Sequence, residues 1–208
     1  MLLSGKVEMK KGEMTRRRIV ALAAPIFNQK GYSGTALSDL MEATGLEKGG
    51  IYRHFESKQE LAEDAFDYAW GTALEARFAG IDEIPNAVDR LTQFIINFRE
   101  RRTGLVPGGC PLLNTAIEAD DTNPQLRTRV RKALDSWIGR LQSIIQEGKQ
   151  RGEILRKVDA SQLATLIVST LEGALVLSRI QRAYDPLDAA CTHLKDHLDT
   201  SVRARARS

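Results

Sequence analysis

The sequence predicts an all-α chain, with a small N-terminal helical unit joined to a larger helical body. Three observations carry that expectation. Apolar residues recur at three- and four-residue spacing from Ile19 to Leu198, the period of one helix face. Cap-forming residues stand just before most of these stretches, and glycine or proline punctuates their ends. No segment shows the apolar–polar alternation of a half-buried strand.

Residues 1–14 are expected to be a flexible leader. Thr15 can cap a first helix, TRRRIVALAAPIFNQKGY, whose inner face is Ile19, Leu22, Ala23, Ile26 and Phe27. Gly31 ends it, and Pro25 predicts a bend within it. Thr35 is expected to cap a short helix with Leu37, Leu40 and Met41 inward, closed by Gly45. Leu46 re-enters the core, and a second short helix carries Ile51 and Phe55 inward. Two short helices joined by a tight glycine-containing turn are the helix-turn-helix pattern. Ser57 then caps a long helix, SKQELAEDAFDYAWGTALEARFA, that leads into the body.

Within the body, residues 86–102 carry Val88, Leu91, Ile95 and Phe98 on one face. The loop TGLVPGG precedes the short segment CPLLNTAIEA. Asn123 and Pro124 mark a helix start, cap and first residue, with Leu126, Val130, Leu134, Trp137, Ile138, Leu141 and Ile145 on its inner stripe. Asp159 caps a helix that is apolar on nearly all sides, and Asp185-Pro186 opens the last one. Residues 201–208 form a basic tail.

The bulk numbers describe an ordinary soluble globular chain: 208 residues, 42% hydrophobic and 27% charged. The excess positive charge is all at the front. Residues 1–62 hold ten Lys/Arg against seven Asp/Glu, whereas the remainder holds twenty of each. That bias suits a polyanionic partner. Cys110 and Cys191 have neither disulfide-framework nor zinc-ligand spacing, so a reduced, cytoplasmic protein is expected. The front of the chain has no signal-peptide pattern, and the apolar run 163–177 reads as too short and too polar for a membrane span.

The stretch TGLEKGGIYRHFESKQEL, residues 44–61, concentrates the chemistry. Gly49 and Gly50 weaken a short helix, since glycine costs a helix interior about 1 kcal/mol relative to alanine. Their use is explained if the helix must bring its backbone close to DNA. Lys48 stands at the same end and can reach a phosphate or a guanine edge. Tyr52, Arg53 and His54 follow on the side away from Ile51 and Phe55. Lys58 and Thr35, each at a helix start, suit phosphates, although His54 could equally hydrogen-bond locally.

The residues RRRIVALAAPIFNQKGYSGTALSDLMEATGLEKGGIYRHFESKQEL strongly resemble the DNA-binding domain of TetR/AcrR-type transcriptional regulators, with GIYRHFESKQEL the most specific part. Pro25 and Met41 depart from the usual pattern, away from the DNA face. The resemblance implies a DNA-binding domain over 15–62 and an effector-binding and dimerisation domain over 63–200. It implies a recognition helix over 47–53, with Lys48, Gly49, Gly50 and Arg53 nearest the bases and Thr35, Tyr52, His54 and Lys58 on phosphates. A homodimer on double-stranded DNA, released by a small molecule, follows as an expectation, with no cofactor and no membrane.

The sequence supports the dimer separately, because helix 160–183 carries more apolar surface than one core needs and offers Ser169, Gly173, Ala174 and Ser178 for close approach. The last helix would join it, with Leu187, Ala190, Cys191, Leu194 and Leu198 inward. Candidate ligand contacts are Trp70, Phe94, Phe98, Cys110, Asn114, Trp137, Leu141 and Glu172. Most of these could instead be plain core, and Glu172 could pair with an arginine. Cys110 precedes a helix start, a setting that lowers a thiol's pKa, so control by thiol modification or by a protein partner stays open beside the small molecule. No nucleophile–base pair surrounds His54, His193 or His197, the only histidines, so no catalytic role is expected. The i, i+4 spacing of His193 and His197 could place two metal ligands on one face, but a solvated face is the simpler reading.

Overall fold

The computed structural model describes residues 11–102 and 104–204, so the expected leader over 1–10 and the tail over 205–208 lie outside the described residues. Among those described, the chain is helical with no strand, only one isolated bridge between Ile154 and Arg203. Nine α-helices follow in order: α1 Lys11–Gly34, α2 Leu37–Thr44, α3 Lys48–Tyr52, α4 Lys58–Arg77, α5 Ala87–Glu100, α6 Pro111–Thr122, α7 Pro124–Gln150, α8 Ala160–Gln181 and α9 Asp185–His197.

Three of the expected caps form, and Asn86 adds one beyond those named from the sequence. Ser57 Oγ accepts from the Glu60 amide at 3.1 Å, and Asn86 Oδ1 from those of Val88 and Asp89. Asn123 Oδ1 accepts from Leu126 N at 3.1 Å and Asp159 Oδ1 from Gln162 N at 2.9 Å. Each satisfies a donor that a helix start leaves open. Thr35 does not cap. The cap residue is Ala36, whose amide donates to Asp39 Oδ2 at 2.9 Å. The Thr35 hydroxyl instead donates back to the Gly31 carbonyl at 2.6 Å.

Two other boundaries differ from expectation. The first helix is already formed at Lys11, ahead of Thr15, and it passes Pro25 without leaving helical geometry. Its departure comes at Gly31, with φ 75° and ψ 172°. At the other end, the part of the basic tail up to Ala204 is tied down. Leu198–Val202 forms a π-helical turn, Arg203 Nη2 meets Asp89 at 2.6 Å, and the Ala204 amide donates to Glu153 O.

Two hydrophobic cores result. The head core joins α1, α2, α3 and the start of α4 through Ile19, Val20, Ala23, Leu40, Ile51, Phe55 and Leu61. The body core runs from Phe66 to Val202 and is centred on buried residues of α5, α7, α8 and α9. Helix α4 belongs to both, with Leu61 in the first and Phe66 and Trp70 in the second. A displacement along α4 therefore moves the head relative to the body.

Candidate DNA-contact surface and effector region

The head presents α3 outward. Its N-cap is Glu47, and only Ile51 of its residues is buried. Lys48, Gly49, Tyr52 and Arg53 are exposed, Gly50 and His54 half-buried. Neither glycine sits in the left-handed region. A methyl group added at Gly49 would meet nothing within 4 Å, and at Gly50 only the Leu46 side chain, nearest at Cβ at an ordinary 3.4 Å. The fold itself has no need of glycine at either position. What the two glycines provide is a bare backbone on the outer surface, useful to something that must approach it from outside.

The rest of the expected contact set divides. Lys58 is half-buried and its Nζ donates to the Tyr32 carbonyl at 2.6 Å, lying 4.5 Å from the Tyr32 ring centroid. Thr35 is 1% exposed, so its hydroxyl is turned inward rather than offered to a phosphate. The residue that fixes the segment was not evident in the sequence. Arg16 donates Nη1 to the His54 carbonyl and Nη2 to Glu60 Oε1 and Asp64 Oδ2 at 2.7 Å, and it lies over Phe55 at 4.2 Å. It thereby ties α1 to the residues that follow α3 and to α4. Arg16 is one of three adjacent arginines, and nothing in RRR distinguishes the one that turns inward.

In the body, the expected aromatic walls form a closed core. Trp70 and Trp137 meet at 5.3 Å between ring centroids, Phe94 and Trp137 at 6.1 Å, and Phe98 stacks on Trp137 at 6.4 Å. Trp70, Phe94, Phe98, Trp137 and Leu141 are all buried. Against this box sits Arg77, at the end of α4, its guanidinium 4.5 Å from the Phe98 ring and 4.7 Å from Trp137. It pairs with Glu172 of α8 at 3.3 Å, and its Nη2 donates to Cys110 Sγ at 3.4 Å. The arginine reading of Glu172 is the one the geometry supports. Arg77 Nη1, Glu172 Oε2 and Trp137 Nε1 are left buried without a hydrogen-bond partner.

Cys110 does not have the lowered pKa expected at a helix start. Burial pushes it up to about 11, with Glu172 adding to the rise and Arg77 opposing it. Its thiol donates to Glu172 Oε1 at 2.9 Å. A protonated, buried thiol is a poor nucleophile. Cys191 is likewise buried.

A cleft of about 480 Å³ lies where the head meets the body. Its floor is built from small and aromatic residues of α1 and α4, including Ala24, Phe27, Ala65 and Phe66. Asn114 of α6 lines it, alone among the expected ligand contacts. Asn114 Nδ2 donates to Asn28 O and Oδ1 at 3.0 Å and to Gly108 O at 2.8 Å. Beside it the Glu118 carboxylate accepts from the Tyr32 and Ser33 amides at 2.6 and 2.7 Å, binding α6 to the end of α1. A second seam joins Gln59 to Asn123 by a reciprocal amide pair and Arg129 to Glu63 at 2.8 Å.

Helix α8 keeps an apolar outer face. Leu166, Leu177 and Ile180 are exposed, Ile180 at 75%, and the exposed Ser169 and Gly173 lie between them. Ala174 and Ser178, expected on the same face, point into the body instead. At 22 residues α8 is long and apolar enough to cross a membrane, contrary to the reading of its central run, but half of its most apolar window is buried inside this body. His193 is exposed, and no cluster of three or more metal-ligating side chains occurs among the described residues.

Two family models match the chain. Residues 19–65 match "Bacterial regulatory proteins, tetR family", and residues 87–194 match "Tetracyclin repressor-like, C-terminal domain". The HTH-type transcriptional repressor DhaR of a Mycobacterium species is 27% identical over 85% of this chain and 88% of its own length. An HTH-type transcriptional regulator of Mycobacterium tuberculosis is 30% identical over 92% of this chain and 98% of its own. Among solved structures, a TetR transcriptional regulator from Chloroflexus aurantiacus superposes with a TM-score of 0.90 at 50% identity, covering 95% of this chain and 100% of that one. One from Cytophaga hutchinsonii gives 0.89 at 36% identity, covering 96% and 100%.

Proposed function

The chain belongs to the TetR family of bacterial transcriptional regulators, DNA-binding proteins that are not enzymes, and from that premise we propose that it is a ligand-responsive repressor. It binds a palindromic operator as a homodimer and leaves it when a small molecule binds. The observation that carries the reading is the pair Gly49 and Gly50, which the fold does not require and an approaching DNA groove does.

Lys48, Gly49, Gly50 and Arg53 face the base edges, and Tyr52, His54 and Lys58 the phosphates. Lys58 must exchange the Tyr32 carbonyl for a phosphate, a short movement of a flexible side chain. The head is residues 15–62 and the effector and dimerisation domain 63–200. The apolar outer face of α8, with α9 beside it, pairs with the same face of a second copy in a four-helix bundle. The two heads must then sit about 34 Å apart to reach successive major grooves.

Release follows if the small molecule favours a conformer with a different head spacing, since a ligand shifts an equilibrium only through that difference in affinity. The head–body cleft has the volume of a small-molecule site and touches both moving parts. Burial of Cys110 argues against thiol modification as the primary signal.

The test is binding of the purified protein to a fluorescent duplex of its own upstream intergenic DNA across a salt series, with Gly50→Arg as control. Tight binding that needs Gly50 and weakens steeply with salt supports the reading. Binding equal to that of random DNA, unchanged by Gly50→Arg, overturns it for that DNA and for the proposed surface.

A further inference from the structure

A second open cleft, of about 400 Å³, lies at the C-terminal end of α8 and adjoins the head–body cleft at Gly108 and Arg179. Arg102, Arg179 and Arg182 line it together with Tyr184, Gly108 and Gly109. No carboxylate lines it, and none of the three arginines is in an ion pair among the described residues. The acid that acts on Arg102 is Asp188, and Arg99 already holds it at 2.6 Å. Arg102 packs over the Tyr184 ring at 4.2 Å, and its Nε is buried without a hydrogen-bond partner.

Three guanidinium groups in one cleft repel one another, and among the described residues no ion pair offsets that repulsion. A planar guanidinium presents paired N–H donors that match an oxyanion with two oxygens. We propose that this cleft binds a small molecule through its carboxylate or phosphate group, held by Arg102, Arg179 and Arg182.

The site has a route to the head. Arg179 Nη1 donates to the Gly108 carbonyl. It fits there because position 109 is glycine: a Cβ on that residue would stand 1.3 Å from Arg179 Nη1. Gly108 O also accepts from Asn114, while Asn28 of α1 donates to Pro107 O at 2.9 Å and Gly109 O at 3.3 Å. An anion that draws Arg179 off Gly108 loosens the loop against which α1 rests. This regulatory step rests on the regulator reading above, whereas the binding site does not.

The experiment is titration calorimetry of the full-length, DNA-free protein with sodium phosphate and, separately, sodium citrate, at constant ionic strength. Saturable binding of either probe is expected, and the two arms separate a phosphate from a carboxylate ligand. Arg179→Gln and Arg182→Gly should each weaken it about tenfold or more, the scale of one charge-assisted hydrogen bond. Arg182 has φ 53°, a conformation glycine adopts freely, so Arg182→Gly should keep the wild-type melting temperature. Arg156→Gln, an exposed charge elsewhere, should change nothing.

No saturable heat with either probe overturns the site, as does an equal loss in Arg156→Gln. Operator binding then tests the route. An anion that shifts operator affinity in the wild type, but not in Arg182→Gly, supports it. An anion that binds yet leaves operator affinity unchanged overturns the route through Gly108 and leaves the site standing. Failure to bind any operator with the anion site intact counts against the regulator reading instead.

Discussion

The exposed turn around Gly49 and the closed box around Trp137 were both marked in the sequence by unusual residues, and the structure treats them in opposite ways. At Gly49 the fold leaves open space, and at Gly50 room for a side chain in ordinary contact with Leu46, that it does not use. At Trp137 it fills the space with four aromatic rings and an arginine. The first arrangement makes internal sense only with an external partner. The second is complete in its packing and incomplete only in its hydrogen bonds. Residues that a fold does not need are the better guide to what a protein meets, and aromatic residues that it does need are a poor one.

The largest effects should come from the closed region. Trp137→Ala should lower stability by about 3–5 kcal/mol in urea denaturation, the range for truncating a fully buried aromatic residue. Arg77→Leu should cost a similar amount, about 3–5 kcal/mol, because it strands the buried Glu172 charge. Adding Glu172→Leu should restore much of that loss. If the double variant is as unstable as the single, the worth of Arg77 lies in its stacking on the rings, and the ion pair matters little.

The open region should behave conversely. Gly50→Arg should change stability by no more than about 1 kcal/mol, the scale on which a helical glycine differs from other residues. Its operator affinity should fall by about a hundredfold, near 2.7 kcal/mol. Gly49→Ala is the sharper probe. It should stabilise α3 by up to about 1 kcal/mol and still weaken operator binding. Unchanged affinity would show that the bare backbone is not what DNA meets.

A third variant asks whether the outer face of α8 belongs with the open region. Gly173→Arg should leave helix content intact and make the chain monomeric in sedimentation analysis, because in the proposed dimer the exposed Gly173 brings the two α8 helices together. A variant that remains dimeric would place the interface elsewhere.

The smallest effect is acid sensitivity of the head. Lys30 holds Asp39 below its ordinary 3.8, chiefly by a side-chain hydrogen bond. The Glu56 amide, then Arg16, hold Glu60 below its ordinary 4.5. Depressed carboxylates contribute stability that is complete above those ordinary values and is lost as pH falls through the lower folded ones. Hydrogen exchange between pH 5 and 3 should therefore show α1 and α2 loosening before the aromatic box, and simultaneous loosening would contradict it.

Features that depend on a few neighbouring residues were legible in the sequence. Ser57, Asn123 and Asp159 cap as expected because a cap needs only an amide two or three residues on. Thr35 failed because its hydroxyl donates to the Gly31 carbonyl four residues back, across the kink in α1. Arg77 was missed because its partners, Cys110 and Glu172, are distant in sequence and are brought together only by packing. Asn28 was missed for the same reason: its role is set by a loop about eighty residues away. For the effector region, aromatic composition was visible, but whether the rings surround a void or fill it was not.

The carboxylate of Glu118 has one further consequence, for how such proteins diversify. It seats two amides at the end of α1, and a side chain at Gly31 would bring its Cβ to 2.5 Å from Glu118 Oε2. Glycine at position 31, with its positive φ, thus sets one of the ties between the two cores, beside the seam of Gln59 with Asn123 and Arg129 with Glu63. A head transplanted from a relative onto this body should dock most readily if it brings glycine there. Position 31 is the first place to check in a chimera that fails to fold.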